Sequence, residues 1–373
     1  LSKKLLLLGG DGIGPEVTDV SERIVQHLNG AAGAGIELLH GLVGGAAIDA
    51  TGAPLPEATL AAALSADAVL MGAVGGPKWA DRPYESRPEA GLLALRSGMN
   101  VYANLRPAFC FEALIDASTL KAEVVAGLDL MFVRELTGGV YFGAPRGIER
   151  LADGQRRGVN THVYTTSEIH RVARTAFAIA RTRKGRVCSI DKMNVMEAGQ
   201  LWREEVTALH AVEFPDVELT HMLADNCAMQ LVKNPKQFDV ILTDNLFGDI
   251  LSDQAAMLTG SIGMLPSAAL GDPGRPGLYE PIHGSAPDIA GRNLANPCAS
   301  VLSLALAMRH SLALPELADR IESAVQHVLE RGIRTRDLGG DADTRQMSDA
   351  LLAALDRKDD EPSAYAGAHA EER

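Results

Sequence analysis

Residues 244–253, DNLFGDILSD, set Asp249 and Asp253 four apart, directly after the apolar run FDVILT. On a helix that spacing stacks both carboxylates on one face. Like charges so placed repel by roughly a few tenths of a kcal/mol, so the pair calls for a countercharge. A hard divalent cation such as Mg²⁺ or Mn²⁺ takes oxygen ligands and would supply it. A solvated acidic first turn, favoured by the helix dipole, is the competing reading. Asp225 in HMLADNCAMQL offers a third carboxylate, with capping of the next helix as its alternative.

Three arginines lie within a short span: Arg96 in RPEAGLLALR, Arg106 in NVYANLRP and Arg134 in MFVRELTGG. Convergent guanidinium forks suit a substrate with two carboxylates, because each grips in a bidentate manner. Surface arginines are the alternative, which Arg134 partly escapes by ending an apolar run where an unpaired charge is costly. Leu92 and Leu93 precede Arg96 and read either as core or as an apolar pocket beside that clamp. Tyr141 in TGGVYFG and Lys192 in SIDKMNV are the candidate proton carriers. Lys192 follows a strand, where ligands of α/β sheets gather, and near other cations or a metal a lysine can serve as a base. A structural lysine is the other reading.

Two glycine-bearing loops invite a cofactor. GGDGIGPE at 9–16 lacks GxGxxG spacing, and Pro15 suits a first helical turn, so it reads as a tight strand-to-helix turn. YEPIHGSAPDIAG at 279–291 is punctuated like a loop that could cradle a nucleotide through backbone N–H groups, with Asp288 the kind of acid that accepts from ribose hydroxyls.

The elements that position these groups alternate. KLLLL precedes PEVTDVSERIVQHL, RVCSI precedes NVMEAGQLWREEV, and ADAVLMGAV, LDLMFV and FDVILT are further strand-like runs, which predicts an α/β sheet covered by helices. TSEIHRVARTAFAIARTR has helical periodicity, and helices are predicted again beyond Pro297. Residues 138–163, Gly-rich with an Asp-Gly turn, predict a β-hairpin excursion. The 373 residues carry a formal net charge of −13, which argues against nucleic acid or an anionic membrane as main partner. Leu5–Leu8 is too short for a signal peptide, and no run reaches transmembrane length. Cys110, Cys188, Cys227 and Cys298 lie far apart and read as reduced cysteines of a cytoplasmic protein. The polar stretch 358–373 reads as a flexible tail.

In order, GDGIGPE, RPEAGLLALR, NLRP, VRELTGGVYFG, DKMNV, DNLFGDILSD, TGSIGMLPSA and EPIHGSAPDIAG resemble the β-decarboxylating dehydrogenases of the isocitrate/isopropylmalate dehydrogenase family, from about Lys3 to about Leu355. The resemblance implies a non-Rossmann α/β fold whose two domains share one continuous mixed sheet. Residues 1–101 with 260–357 would hold NAD⁺, and 102–259 would build the dimer, with the hairpin at about 138–163 as the dimerisation arm. It implies Arg96, Arg106 and Arg134 on the substrate carboxylates and Glu89, Leu92 and Leu93 around an isopropyl group. Asp249 and Asp253 would ligate Mg²⁺ or Mn²⁺. Asp225, also beside the substrate, and Lys192 would come from the second subunit of a homodimer. His283, Gly284, Ser285, Ala286, Pro287, Asp288 and Asn296 match the family's cofactor loop, with Asp288 selecting against NADP⁺. Lys192 would act as base and Tyr141 as acid in NAD-dependent oxidative decarboxylation of 3-isopropylmalate, a step of leucine biosynthesis. Relatives acting on tartrate, D-malate, isocitrate or homoisocitrate are the alternatives, and a regulatory relative without turnover would have lost catalytic groups that are present here. The chain departs from the family pattern at Met193, Met196, Ala224, Cys227 and Asp244, the last a further charge near the proposed metal helix.

Overall fold

A computed structural model describes residues 2–357, so the tail at 358–373 lies outside the described residues. The strands are β1 (Lys3–Gly10), β2 (Ile36–His40), β3 (Ala68–Ala73), β4 (Ala103–Phe109), β5 (Asp129–Glu135), β6 (Gly147–Arg150), β7 (Arg156–Val159), β8 (Arg186–Asp191), β9 (Glu218–Leu223), β10 (Val240–Thr243), β11 (Pro266–Leu270) and β12 (Gly277–Pro281). The helices are α1 (Gly14–Ala32), α2 (Gly44–Thr51), α3 (Glu57–Ser65), α4 (Pro88–Met99), α5 (Ala122–Val125), α6 (Thr166–Arg181), α7 (Glu197–Glu213), α8 (Ala224–Lys233), α9 (Asn245–Ala256), α10 (Cys298–His310), α11 (Pro315–Glu330) and α12 (Thr344–Leu355).

The run of leucines in β1 has no polar alternation because both faces of the strand are covered. Leu5 and Leu7 point into a core shared with α1, α10, α11 and α12, while Leu6 and Leu8 join Met71, Leu95 and Met99 on the opposite face. β5 repeats the pattern, with Met131 and Val133 on one side and Leu130 and Phe132 on the other. Ten strands form one sheet in the order β2-β1-β3-β12-β11-β4-β5-β10-β8-β9. Strands from the two chain ends occupy one half and those of the middle of the chain the other. β11 pairs antiparallel with β12 and β4, as does β4 with β5, and the remaining pairs are parallel.

β6 and β7 pair only with each other and stand exposed, as the hairpin expected over 138–163. α6 starts from a capping box made by Thr165 and Glu168, one residue before the predicted start. Pro15 lies in the first turn of α1, and the four cysteines are buried and unpaired. Among the described residues no helix is long and apolar enough to cross a membrane.

Candidate active site

Antiparallel pairing sets Asn104 of β4 opposite Arg134 of β5, so Asn104, Arg106 and Arg134 project from one face of the sheet. α9, which follows β10 after a single residue, lies across both strands on that face. Its close approach needs Gly248, where a Cβ would stand 2.3 Å from Thr243 Oγ1 and 2.6 Å from Arg134 Cγ. The first-turn reading of the acidic pair gives way here, because α9 has no acid in its first turn and Asp249 and Asp253 lie further along it. The capping role belongs to Asp244, whose Oδ1 accepts from Phe247 N at 2.8 Å while Oδ2 faces His162 Nε2 at 3.2 Å. The unusual Asp244 charge is therefore spent on the helix end.

Arg134 Nη1 donates to Asp249 Oδ1 at 2.5 Å. Arg106 bridges both acids, reaching Asp253 Oδ1 from Nη1 at 3.0 Å and Asp249 Oδ1 from Nη2 at 3.4 Å, while Nε donates to Asn104 Oδ1 and Nη1 also to Ser252 Oγ, at 2.7 Å each. Tyr141 OH donates to Asp249 Oδ2 at 3.2 Å. Burial would raise the Asp249 carboxyl, but Arg134 and Arg106 outweigh it and hold the group below its ordinary range. Asp253 moves the other way, raised by burial and by the Asp249 charge against the pull of Arg106. Tyr141 is raised by burial and by Asp249, so its hydroxyl keeps its proton at neutral pH. Arg96, in the last turn of α4, is buried against Glu280 at the end of β12, a partner that sequence reasoning missed. Its field is felt at both Arg134 and Asp249, so the three arginines do converge.

Lys192 and Asp225 follow the ends of adjacent strands β8 and β9, which brings Lys192 Nζ to 2.6 Å from Asp225 Oδ1. Lys192 holds the Asp225 carboxyl below its usual value, although that side chain is 63% exposed. Asp225 does not cap α8, since Leu223 is the N-cap residue. Among the described residues no three His, Cys, Asp or Glu side chains gather closely enough to hold a metal, so Asp225 does not join Asp249 and Asp253 within one chain. Glu89 is exposed and borders a cavity of about 460 Å³ with Trp79, Tyr84 and Pro88, while Leu92 and Leu93 are half-buried on the next turn of α4.

A second cavity, of about 550 Å³, is lined by His283, Gly284, Ala286 and Asn296 from the predicted cofactor set, together with Ile13, Ser261, Arg292, Arg336 and Asp337. Ser285 is buried beneath it: its carbonyl accepts from Ile13 N at 2.8 Å, and a Cβ on Gly12 would meet that oxygen at 1.9 Å. GDGIGP is thus the floor of this loop. Pro287 and Asp288 are exposed outside the cavity lining. Asn296 Nδ2 donates to Asp337 Oδ2 at 2.9 Å, and Ser261 Oγ donates to the same oxygen at 2.6 Å. Asp337 stood out by no motif. His283 Nε2 is buried with no partner, and burial depresses the imidazole's affinity for a proton.

Guanidiniums gathered round a carboxylate pair, and a separate roomy cavity with polar groups in its lining, are features that suit an enzyme acting on a small molecule. The chain belongs to the isocitrate/isopropylmalate dehydrogenase family, whose sequence profile matches residues 4–351. It is 64% identical to the 3-isopropylmalate dehydrogenase of Caulobacter vibrioides over 94% of this chain and 99% of that protein. It is 57% identical to the 3-isopropylmalate dehydrogenase of Pelagibacter ubique, over 95% and 98%. Among solved structures it resembles isocitrate dehydrogenase from Methylococcus capsulatus, with a TM-score of 0.85 and 34% identity over 95% of this chain and 100% of that one. A β-decarboxylating dehydrogenase from Thermococcus kodakarensis gives a TM-score of 0.76 and 32% identity over 95% and 96%.

Proposed function

We propose that this chain catalyses the NAD⁺-dependent oxidative decarboxylation of (2R,3S)-3-isopropylmalate to 4-methyl-2-oxopentanoate and CO₂, a step of leucine biosynthesis. The observation that carries the reading is the near full-length identity to proteins named for that substrate, at 64% and 57%. Half-buried Leu92 and Leu93 on the turn before Arg96 add to it, because an apolar γ-substituent suits them and a third carboxylate does not.

The residues present fit a divalent cation and a dinucleotide. Two carboxylates stacked on α9, Asp253 raised by burial and then by the charge of Asp249, form an oxygen donor set for a hard cation. The second cavity has room for part of a dinucleotide, and His283, whose Nε2 is buried without a partner, is among the residues that line it. Asp249 and Asp253 of one chain with Asp225 of another would hold Mg²⁺ or Mn²⁺; His283, Gly284, Ser285, Ala286, Pro287, Asp288 and Asn296 would hold NAD⁺. When bound, the cation supplies positive charge that favours a developing oxyanion, and the dinucleotide supplies a hydride acceptor.

The chain's own residues supply the rest. Arg96, Arg106 and Arg134 orient the two carboxylates, and Arg134 keeps its charge although burial, then Arg106, lowers it to about 10. Lys192 of the second copy takes the hydroxyl proton at Nζ as the C2 hydride departs. After CO₂ leaves, Tyr141 delivers its phenolic proton to C3. We assign residues 1–101 with 260–357 to a cofactor domain and 102–259 to a central domain. A homodimer with shared sites is favoured by apolar side chains left exposed on α8 and α9, Met229, Val232 and Ile250, and by Ile148 on the arm.

The test is NAD⁺ and NADP⁺ reduction with Mn²⁺ and a panel of 2-hydroxy diacids. NAD⁺ reduction with 3-isopropylmalate should exceed every other combination. Faster turnover of D-malate, tartrate or isocitrate would overturn the substrate assignment.

A further inference from the structure

Asn245 opens α9, is 1% exposed, and has every polar group in use. Its Oδ1 accepts from Arg134 Nη2 at 2.8 Å and Nε at 3.2 Å, and its backbone carbonyl accepts from the same Nε at 2.9 Å. Its Nδ2 donates to the carbonyl of Gly138 at 3.0 Å, and its backbone N–H donates to Tyr164 OH at 2.9 Å. The four-residue spacing of Asp249 and Asp253 therefore extends one step back, and a neutral amide heads the row.

Both partners matter to the reaction proposed above. Asn245 grips the Nε/Nη2 edge of Arg134, which leaves Nη1 directed at Asp249 and fixes the plane in which the fork meets an anion. Gly138 begins the turn that carries Tyr141. Its N–H and that of Thr137 are held by Glu135 at 2.7 Å and 3.0 Å, so the carbonyl held by Asn245 is the other end of the clamp. The amide's carbonyl oxygen accepts from the guanidinium while its separate NH₂ donates to the Gly138 carbonyl, two ends that a carboxylate cannot supply together.

We propose that Asn245 is a positioning residue that locks the guanidinium plane of Arg134 and the Tyr141 turn to one point on α9. The inference rests on the roles assigned to Arg134 and Tyr141 under the proposed function. Its consequence is that the substrate grip and the acid can be uncoupled by one atom. Asn245→Asp keeps the acceptor toward Arg134 and loses the donor toward Gly138, setting a carboxylate oxygen against a carbonyl.

The experiment compares the unsubstituted enzyme with Asn245→Asp on 3-isopropylmalate, Mn²⁺ and NAD⁺, reading kcat, KM, the solvent deuterium isotope effect on kcat, and Kd for NAD⁺. The expected result is a kcat lower by about 10–100-fold with KM within about 3-fold, the signature of a group displaced only for the chemical step. The isotope effect should rise, because proton delivery by a displaced Tyr141 becomes limiting, and Kd for NAD⁺ should hold. An unchanged kcat, or a lowered kcat with an unchanged isotope effect or a lost NAD⁺ affinity, overturns the proposal. Should the buried carboxylate prevent folding, Asn245→Ser drops both arms, and a raised KM, lowered kcat and raised isotope effect are expected together; an unchanged isotope effect overturns the proposal there too. An inactive unsubstituted enzyme contradicts the substrate assignment, whereas an active one with an unaffected variant contradicts the role of Asn245.

Discussion

Arg134 carries its charge where almost no water reaches, and its contacts with Asp249 and Asn245 make that tolerable. The residues proposed to carry the chemistry were legible because each stands in a short motif whose order is distinctive. Their orienters were not: Asn245, Glu280 and Asp337 each act on a residue far away in sequence, and nothing local marks a side chain whose partner arrives only on folding. A second buried charge makes the same point outside the site. Glu322 of α11 is fully buried, with Oε2 accepting from Arg309 at 2.8 Å and Oε1 unpartnered. Burial raises its carboxyl to about 7, against the pull of Arg309. A raised carboxyl contributes stability that is complete below its ordinary value near 4.5 and is lost as pH rises through about 7. Relative to Glu322→Gln, the protein should lose on the order of 2 kcal/mol between pH 5 and pH 8. Thermal or urea unfolding of both forms across that range measures it, and a stability difference independent of pH would contradict the assignment.

At the scale of elements, β1, β3, β5, β8 and β10 were visible as apolar runs because central parallel strands are buried on both faces. β4 was not, since ANLRPAF carries the charged Arg106 and a proline that argues locally against a central strand. β9 lies at the sheet edge and is only partly buried, which leaves it no apolar signature. The glycines of GDGIGP were read correctly as turn formers, but their task emerged only from packing. Gly12, at φ +58°, lies against the Ser285 carbonyl and so lets the first loop support the cofactor loop. Gly12→Ala combines a left-handed backbone with a direct clash, and should destabilise by about 2 kcal/mol or more. NAD⁺ affinity should fall while Mn²⁺ binding at α9 persists. Calorimetric titration of each ligand reads the two separately, and intact NAD⁺ binding by this variant would refute the supporting role.

The whole molecule is acidic, with a formal net charge of −13, and the three arginines proposed to grip substrate are concentrated where strands β4 and β5 meet α4 and α9. Within one chain Lys192 and Asp225 hold each other, apart from the acids of α9. The proposed site therefore requires a second chain, and complementation tests that requirement most directly. Lys192→Ala and Asp253→Asn should each be inactive with 3-isopropylmalate and NAD⁺, because every site in either homodimer lacks one group. When the two are reassociated, each mixed dimer carries one site with both defects and one intact site. Random pairing in a two-fold dimer then restores about a quarter of the unsubstituted activity. A mixture no more active than its components, with mixed dimers demonstrated by native mass spectrometry, would contradict a shared site.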